Sequence, residues 1–512
     1  MASRILPLPS FLRADRPEIV AGVDLGSNSF HLMVARSEDD GRIHVLDRLR
    51  DPVRLAAGID ARGYLSDEAV ARGTTALERF GERLRDMPSR AVRAVATNTL
   101  RKARNGAAVE AAFSEALGHP VEIISGHEEA RVIYAGVTHV TPEIQERLLV
   151  LDIGGGSTEC ILGRGYEPLE LDSLYMGCVE ATARFFGEGR LSREAFERAR
   201  LAAGLELASI VQRYRRIGWD RVLGSSGTIL AVSEVLRQQK WSPGNITAKA
   251  LAKLEAKLVE TSRISKLELA GLDPDRAAVF PGGVAILSAA FQFLEIDEMV
   301  PATGALREGL VYELLGRATV GDPRDRTVDN LASRYKVDRE HAQRVSDTAA
   351  VLFSQANKHW EHETETAQRL LSQAASLHEI GLSIAFAGFH KHGAYILAHA
   401  DMPGFSVDEQ QLLAAIVGAH RRKFSKAAFG NLAGGRRRLA IHLTLVLRLA
   451  VRLHHSRTSE ALPEVRLEAR KAHLRIEVPA AWLTERALTR ADFEEEVRLL
   501  EREGIHLELA TR

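Results

Sequence analysis

The chain has 512 residues, enough for about three or four domains of ordinary size, and 45% of them are hydrophobic. Its 68 Lys and Arg residues equal its 68 Asp and Glu residues, so there is no overall positive field to favour DNA or an anionic membrane, and any anion site must be local. The two cysteines, Cys160 and Cys178, are too few for a disulfide framework, and we expect a protein of the reducing cytoplasm.

The first elements follow an alternating strand and helix pattern. Residues 1–18 contain Pro7, Pro9 and Pro17 and no sustained apolar core, which predicts that no signal peptide is present. Strands are predicted over 21–36, as a hairpin, and over 43–49. A helix is predicted over 66–84, a strand over 92–96, and a further helix begins at 97–101.

The next region repeats this plan. Residues 151–157 (LDIGGGS) repeat residues 23–29 (VDLGSNS), and a second hairpin is predicted around them. A helix over 192–217, a strand over 221–223 and a glycine-rich turn over 224–228 follow. Repeat and alternation together predict an α/β fold with two similar domains, 19–137 and 138–320.

The end of the chain has a different character. The apolar run 277–294 nearly reaches membrane-spanning length, but Pro281, Gly282 and Gly283 interrupt it, so we predict a buried helix and no membrane span. Residues 322–325 are predicted to be a linker to an all-helical domain over 325–457. A short alternating segment, 472–478, and a helix over 490–503 predict a small α/β tail in 458–512.

The two glycine-rich hairpin turns predict a phosphate site. Glycine at such turns lets backbone N–H groups converge on an anion, and an adjacent aspartate can hold a divalent cation. Glu159 lies seven residues after Asp152, across the second turn, and can therefore face the same cleft. Two facing copies would grip one polyphosphorylated substrate, although a single glycine-rich hairpin more often has only a structural role.

Five ordered motifs, at 24–30, 122–131, 152–159, 224–228 and 304–309, resemble the exopolyphosphatase and guanosine pentaphosphate phosphatase family. The resemblance covers 19–320 closely, and the helical region more loosely through 377–381 and 395–397. It implies a duplicated actin-like (ribonuclease H-like) fold with the active site in the cleft between the halves, then an all-α HD-like domain and the small tail. It also implies a homodimer.

Hydrolysis of a terminal phosphoanhydride needs a cation, hydrogen-bond donors for the transferred phosphoryl group and a group that orients or deprotonates water. We expect Asp24, Asp152 and Glu159 to hold Mg²⁺, with Mn²⁺ as a possible substitute, since hard carboxylate oxygens suit these ions. Spacing alone favours a helix N-terminal role for Glu128 and Glu129, but the resemblance implies that Glu129 is the catalytic base. The expected phosphate-binding residues are Ser27, Asn28, Ser29, Arg101, Gly154, Gly155, Gly156, Ser157, Gly224, Ser225, Ser226, Gly227, Thr228 and Arg307.

Alternatives stay open for two of these residues and for the substrate. Arg101 is otherwise an exposed helix-terminal cation, and an ion pair with Glu308 is an equal interpretation for Arg307. The favoured function is an exopolyphosphatase that releases orthophosphate from inorganic polyphosphate, and guanosine pentaphosphate is the close alternative substrate. A phosphotransferase of the actin-like superfamily, with adenosine at 224–228, is the alternative from a different class.

The predicted helical domain contains many histidines. Their spacing resembles the phosphohydrolases named for a His-Asp metal-binding doublet, but the doublet here is His378-Glu379, and the longer side chain favours a degenerate, noncatalytic domain. Two cationic runs, one of them 436–438, predict substrate grip, with a solvated surface as the alternative. The histidine set is His341, His378, His390, His392, His399 and His420, and the expected polyphosphate track is Arg421, Arg422 and Lys423.

Overall fold

The computed structural model describes residues 17–37, 43–141, 145–315, 322–432, 434–458 and 460–512. The chain divides between residues 320 and 321 into two compact units. The signal-peptide prediction concerns residues 1–18, and of these only 17 and 18 lie within the described ranges. Within those ranges, no helix is long and apolar enough to cross a membrane.

The described part of the first unit contains two sheets. The strands are β1 (Ile19–Leu25), β2 (Phe30–Ser37), β3 (Ile43–Asp51), β4 (Val92–Ala96), β5 (Val121–Ile123), β6 (Arg147–Ile153), β7 (Thr158–Arg164), β8 (Glu167–Leu174), β9 (Arg221–Ser225), β10 (Ile246–Thr247) and β11 (Glu298–Pro301). The strand orders are β3-β2-β1-β4-β5 and β10-β11-β9-β6-β7-β8. In each sheet an antiparallel hairpin, β1/β2 or β6/β7, is followed by a parallel neighbour, β4 or β9. The shared order confirms the duplication.

Helices pack around these two sheets, which we call the first and second lobes. Several begin where the sequence predicts, because a serine side chain accepts the hydrogen bond of an early helical N–H group, as Ser66 does from Ala69 and Ser192 from Ala195. The helices are α1 (Asp67–Leu84), α2 (Asn98–Lys102), α3 (Gly106–Leu117), α4 (Gly126–Val140), α5 (Cys178–Phe186), α6 (Arg193–Ile217), α7 (Ser226–Gln238), α8 (Ala248–Thr261), α9 (Pro274–Ala277), α10 (Phe280–Leu294) and α11 (Leu306–Leu314).

Two of these helices are exchanged between the lobes. Helix α4 follows the first sheet but packs on β7 and β8, whereas α11 follows the second sheet but packs on β1 and β2. The two helices cross with their backbones in contact: a Cβ atom on Gly136 would lie 2.1 Å from the carbonyl oxygen of Ala305, and one on Gly309 would lie 2.0 Å from that of Val132. Only glycine permits so close a crossing.

Two sequence predictions are wrong in detail. Residues 224–228 do not form a separate turn: Gly224 and Ser225 end β9, and α7 begins at Ser226, so the chain passes directly from strand to helix. Residues 322–325 are not a linker, because Asp322 caps α12 and accepts a hydrogen bond from the Arg324 N–H group. Proline at the first helical position supports that start.

The second unit is a helical bundle with a small sheet. Its helices are α12 (Pro323–Arg334), α13 (Arg339–Trp360), α14 (Thr364–Leu377), α15 (Phe389–His399), α16 (Val407–Ala419), α17 (Gly434–Leu453), α18 (Ala480–Thr484) and α19 (Ala487–Glu501). Its sheet has the order β12-β13-β14, from β12 (Arg466–Arg470), β13 (His473–Val478) and β14 (His506–Thr511). The apolar side chains of bundle and tail belong to one continuous core, which includes Phe353, Val446 and Ile476.

Candidate active site

A cleft of about 410 Å³ lies between the two lobes. Both hairpin turns, the start of α4 and the start of α7 contribute to its walls. The predicted residues that line it are Asp24, Ser27, Asn28, Ser29, Glu129, Asp152, Gly154, Gly155, Gly156, Ser157, Ser225, Ser226, Gly227, Thr228 and Arg307. The fold therefore brings most of the expected site together from segments up to nearly 300 residues apart.

The two glycine-rich turns face each other at van der Waals distance. A Cβ atom on Gly155 would lie 2.9 Å from Cβ of Ser27, and one on Gly156 would lie 2.7 Å from Oδ1 of Asn98. Real Cβ atoms are not found this close to such neighbours, so glycine is required for the approach. The structure thus supports the interpretation that two copies of one turn enclose a single ligand.

Strand register places the carboxylates. In the second hairpin Asp152 is paired directly with Glu159, and in the first hairpin the corresponding pair is Asp24 with His31. Glu159 is buried and accepts a 2.8 Å hydrogen bond from the Ser173 hydroxyl, so it lies behind the cleft wall. The duplication is chemically asymmetric, because the position that holds a carboxylate in one lobe holds an imidazole in the other.

Glu128 and Glu129 have different environments. Glu128 is fully buried and accepts hydrogen bonds from the Arg131 guanidinium at 2.7 and 2.8 Å and from Arg93 at 3.1 Å. Both arginines also form ion pairs with Glu313 on α11. Glu129 instead lines the cleft and accepts a single 3.3 Å hydrogen bond from Arg101. The geometry supports Glu129, not Glu128, as the group that meets substrate.

Four carboxyl groups around the cleft have raised pKa values; Glu129, Asp152 and Glu159 are buried, and Asp24 is half-buried. Burial is the main cause in each: it raises the pKa of Asp24 to about 8 and that of Asp152 to about 6. It raises the pKa of Glu129 to about 7, although Arg101 acts in the opposite direction, and raises that of Glu159 well above its usual range, with help from Glu129 and Asp152. A cation beside these groups would relieve this accumulation of negative charge.

The carboxylates fit a hydrated hard cation better than a fully protein-coordinated one. The potential ligand atoms of the three described carboxylates, Asp24, Asp152 and Glu159, do not all lie within 4.8 Å of one another. Mg²⁺ usually keeps several of its waters and takes only one or two carboxylates, so this spacing is compatible with it. The expectation of Mg²⁺ or Mn²⁺ remains a prediction.

Unpaired polar groups also point to an anion. The Ser29 hydroxyl, in the first turn, and the Asn98 side-chain nitrogen, on α2 beside Gly156 of the second turn, are buried without a hydrogen-bond partner. Across the cleft, Ser226 has φ +87°, a backbone conformation that is strained for a residue other than glycine, at the start of the 13-residue helix α7. A helix N-terminus and unsatisfied donors together favour phosphate.

Three predicted residues do not line the cleft. Arg101 sits behind it, where its guanidinium bonds the carbonyl oxygen of Ile124 at 2.7 Å as well as Glu129. Gly224 packs against other residues, since a Cβ there would lie 2.4 Å from the sulfur of Met299. Glu159 is the third.

Arg307 satisfies both of its interpretations, because it lines the cleft and also bonds Glu308 at 3.0 Å and His31 at 3.3 Å.

Among the lining residues that sequence reasoning missed, four carry a basic side chain: His31, Arg48, Arg50 and Arg276. The guanidinium of Arg276, on the short helix α9, lies against Gly227, where a Cβ would be 1.8 Å from one of its nitrogens. His31 could have been found by aligning the two repeats, since it stands seven residues after Asp24 as Glu159 does after Asp152. No local motif marks the arginines, which reach the cleft only through the fold.

The predicted polyphosphate track lies in the second unit, after α16. Arg421 packs its guanidinium over the Phe389 ring at 4.4 Å, whereas Arg422 and Lys423 are exposed. In the other cationic run, Arg436 forms an ion pair with Asp408 and Arg437 bonds the Lys426 carbonyl oxygen at 3.3 Å. The track therefore stays a prediction.

Comparison with known proteins finds similar sequences over most of the chain. Residues 33–318 match the Ppx/GppA phosphatase family, and residues 324–497 match domain III of Ppx/GppA phosphatases. The guanosine-5'-triphosphate,3'-diphosphate pyrophosphatase of Aeromonas hydrophila subsp. hydrophila is 40% identical over 489 residues, which are 95% of this chain and 97% of that protein.

Solved structures show the same fold over the first part of the chain. A crystal structure of an exopolyphosphatase from Cytophaga hutchinsonii is 24% identical, with a TM-score of 0.54, and covers 58% of this chain and 98% of its own. The crystal structure of the Aquifex aeolicus member of the Ppx/GppA family is 26% identical, with a TM-score of 0.50 and the same coverage. These likenesses confirm the duplicated actin-like fold. With matching domains over most of its length and a relative 40% identical over 95% of it, the chain belongs to the Ppx/GppA phosphatase family and is a phosphoanhydride hydrolase.

Proposed function

We propose that this enzyme hydrolyses the terminal 5′-phosphoanhydride of guanosine pentaphosphate and releases orthophosphate. The observation that carries the chemistry is the position of Glu129, a carboxylate that faces two opposed phosphate-binding turns within one cleft. The choice of substrate is supported by the 40% identical relative, whose name describes a guanosine-5'-triphosphate,3'-diphosphate pyrophosphatase. For this reason we favour guanosine pentaphosphate, the alternative substrate in the sequence analysis, over inorganic polyphosphate.

The protein groups have distinct tasks in this reaction. Backbone N–H groups of the two turns, the Ser29 hydroxyl and the start of α7 bind and orient the terminal phosphoryl group. Glu129 orients water and takes its proton as the water attacks phosphorus, and the bridging oxygen leaves with the remaining nucleotide. Arg101 holds the Glu129 carboxylate in place. When bound, Mg²⁺ beside Asp24, Asp152 and Glu159 would neutralise charge on the phosphate oxygens.

The protonation behaviour of Glu129 suits a base. A pKa of about 7 leaves a useful ionised fraction at neutral pH together with a stronger affinity for the proton than that of an ordinary carboxylate. Burial provides this shift, and the ion pair with Arg101 limits it. A cation close by would lower the value further and widen the pH range in which the base is ionised.

The rest of the cleft suits a substrate with more than one phosphate. Arg48, Arg50 and Arg276 add positive charge, and the aliphatic side chains of Leu49 and Leu230 line the cleft beside them. A nucleotide needs both kinds of surface, since its phosphates carry charge and its base offers an apolar face. Polyphosphate needs only the first.

The direct test is phosphate release from guanosine pentaphosphate, long-chain polyphosphate and GTP by the full-length enzyme with Mg²⁺. We expect guanosine pentaphosphate to give the highest kcat/KM and tetraphosphate to accumulate with one orthophosphate per turnover. A higher kcat/KM for polyphosphate would reject the proposed substrate but not the hydrolytic site. Phosphate transfer to an added alcohol or sugar without free orthophosphate would reject hydrolysis altogether. The implied homodimer also stays a prediction, which light scattering during size-exclusion chromatography tests.

A further inference from the structure

We infer that the helical unit has a transition-metal site of its own, formed by His341, His378 and Glu379 with His420 beside them. The site is independent of the phosphatase cleft, and the inference does not rest on the proposed function. The histidine spacing in the sequence resembles a metal-binding set, and the structure shows which of its members lie together, although they belong to α13, the end of α14 and the end of α16.

The first argument is that three potential metal ligands lie close together in the interior of the unit. One potential ligand atom from each of His341, His378 and Glu379 lies within 4.8 Å of the other two. These residues are only 3%, 1% and 7% exposed, so their polar atoms are withdrawn from water. Ligands of a single first-row ion lie about 2.0–2.2 Å from it, and hence about 3–4 Å from one another. A small contraction would bring the three groups to that spacing.

The second argument is the orientation of the imidazole rings. Nδ1 of His378 lies 2.7 Å from the carbonyl oxygen of Ala375, and Nδ1 of His420 lies 2.6 Å from that of Val417. A carbonyl can only accept, so each Nδ1 carries the proton and each Nε2 presents a lone pair. This backbone contact is the usual partner of the non-ligating nitrogen in a metal-bound histidine.

The third argument is that these lone pairs have no protein partner. Nε2 of His378, Nε2 of His420 and Nδ1 of His341 are buried without a hydrogen bond. The ring centroid of His378 lies 5.6 Å from that of His341 and 5.4 Å from that of His420, so the three rings that carry these nitrogens are neighbours. Burial of an unsatisfied polar group is costly, and gathering several of them calls for a shared partner.

Protonation does not supply that partner. Burial lowers the pKa of each of the three histidines, that of His341 to about 4, so the rings are neutral at physiological pH. Glu379 is the nearby anion, and one of its oxygens pairs with Arg457. A carboxylate has room for several contacts, so this ion pair orients Glu379 without consuming its capacity as a ligand.

The ligand chemistry selects the class of ion. Imidazole nitrogens with one carboxylate suit Zn²⁺, Fe²⁺, Co²⁺ or Ni²⁺ and do not suit Mg²⁺ or Ca²⁺, which prefer oxygen. The sequence predicts a degenerate domain because glutamate is longer than the aspartate of the usual doublet. In the structure, the Glu379 carboxylate nevertheless lies beside His341 and His378. His399 lies outside the site: it is exposed and stacks on Tyr395 at 4.3 Å.

The test measures Zn²⁺ binding by the full-length chain. The protein is stripped with a chelator and dialysed against micromolar Zn²⁺, and metal content is measured by mass spectrometry. We expect one retained equivalent in the wild type and in the matched control His399→Gln. His378→Gln should weaken Zn²⁺ binding by about 100-fold or more, since loss of a ligand costs at least as much affinity as loss of a residue that only hydrogen-bonds to a ligand. Co²⁺ should give visible absorption bands in the wild type that His378→Gln abolishes.

Two further variants keep the result decisive. If His378→Gln does not fold by circular dichroism, Glu379→Gln replaces it, with the same expected direction. Asp152→Asn, in the phosphatase cleft, should retain the Zn²⁺ equivalent. The inference is overturned if the wild type binds no Zn²⁺ under these conditions, if His378→Gln and Glu379→Gln bind as tightly as the control, or if only Asp152→Asn loses the ion.

Discussion

Replacement of Glu129 by glutamine separates catalysis from stability at one position. Glutamine keeps the shape of the side chain but cannot take a proton from water, so we expect kcat to fall by about 10²–10⁴-fold. KM should change little, because the phosphate donors of the two turns are untouched. A direct comparison of kcat for wild type and Glu129→Gln, at saturating guanosine pentaphosphate and Mg²⁺, measures this effect.

The same substitution should stabilise the metal-free protein at alkaline pH. The pKa of Glu129 rises from its ordinary 4.5 to about 7 on folding, and this difference corresponds to about 3 kcal/mol at most. For an acid whose pKa is raised in the folded state, the unfolded chain loses the proton first. Stability attributable to this group is therefore greatest below pH 4.5 and falls as the pH rises to about 7. Glutamine has no such dependence.

Urea denaturation of both proteins in chelator, between pH 5 and pH 8, tests the sign. We expect the free energy of unfolding of Glu129→Gln to exceed that of the wild type by about 1–3 kcal/mol at pH 8, and the gap to close towards pH 5. A variant that is less stable than the wild type at pH 8 would show that Glu129 is held mainly by its arginine. A loss of kcat below about tenfold would show that another group acts as the base.

Further substitutions probe the neighbouring features. Glu128→Gln should cost about 3–5 kcal/mol in unfolding free energy, measured by denaturation, with a smaller effect on kcat than at Glu129, because it breaks a buried ion-pair network. Asp152→Asn should raise the Mg²⁺ concentration for half-maximal rate, and an unchanged requirement would exclude it as a ligand. Gly155→Ala should lower kcat/KM at least about tenfold by forcing the turns apart, whereas Gly435→Ala, with open space around it, should not. Neutralising residues 421–423 should weaken long polyphosphate far more than guanosine pentaphosphate, and equal losses would place the track elsewhere.

The parts of the fold that were predictable are those with strong local signals. The hairpin pattern and its repeat located β1, β2, β6 and β7, and capping serines located α1 and α6. Strands such as β8 and β14 were missed, since their exposed faces carry polar residues and their pairing partners are set by the tertiary fold. The linker prediction for residues 322–325 was wrong because an Asp-Pro pair begins a helix as readily as it marks a loop.

The site was predictable to the extent that it repeats or follows a motif. Carboxylates and glycines at the turns could be named from the sequence, and the register of Asp152 with Glu159 agrees with their seven-residue spacing. Apart from Arg307, the arginines of the cleft could not be named, because Arg50 and Arg276 reach it from unrelated segments. The gathered imidazoles of the helical unit needed the structure for the same reason: three helices supply them.

The crossing of α4 and α11 gives a point about which α4, and with it the proposed base Glu129, could rotate. Glu129 lies in the first turn of α4, and Gly136, where the two helix backbones touch, is seven residues further along. At a rise of about 1.5 Å per residue, the arm from pivot to base is about 10 Å long. A rotation of the lobes by about 10° around that pivot would move the carboxylate by about 2 Å, whereas a misplacement of about 1 Å is enough to cost about 100-fold in rate. If the lobes rotate in this way, hydrolysis would depend on the angle between them, and a ligand that fills the cleft without bringing them to the productive angle would act as an inhibitor.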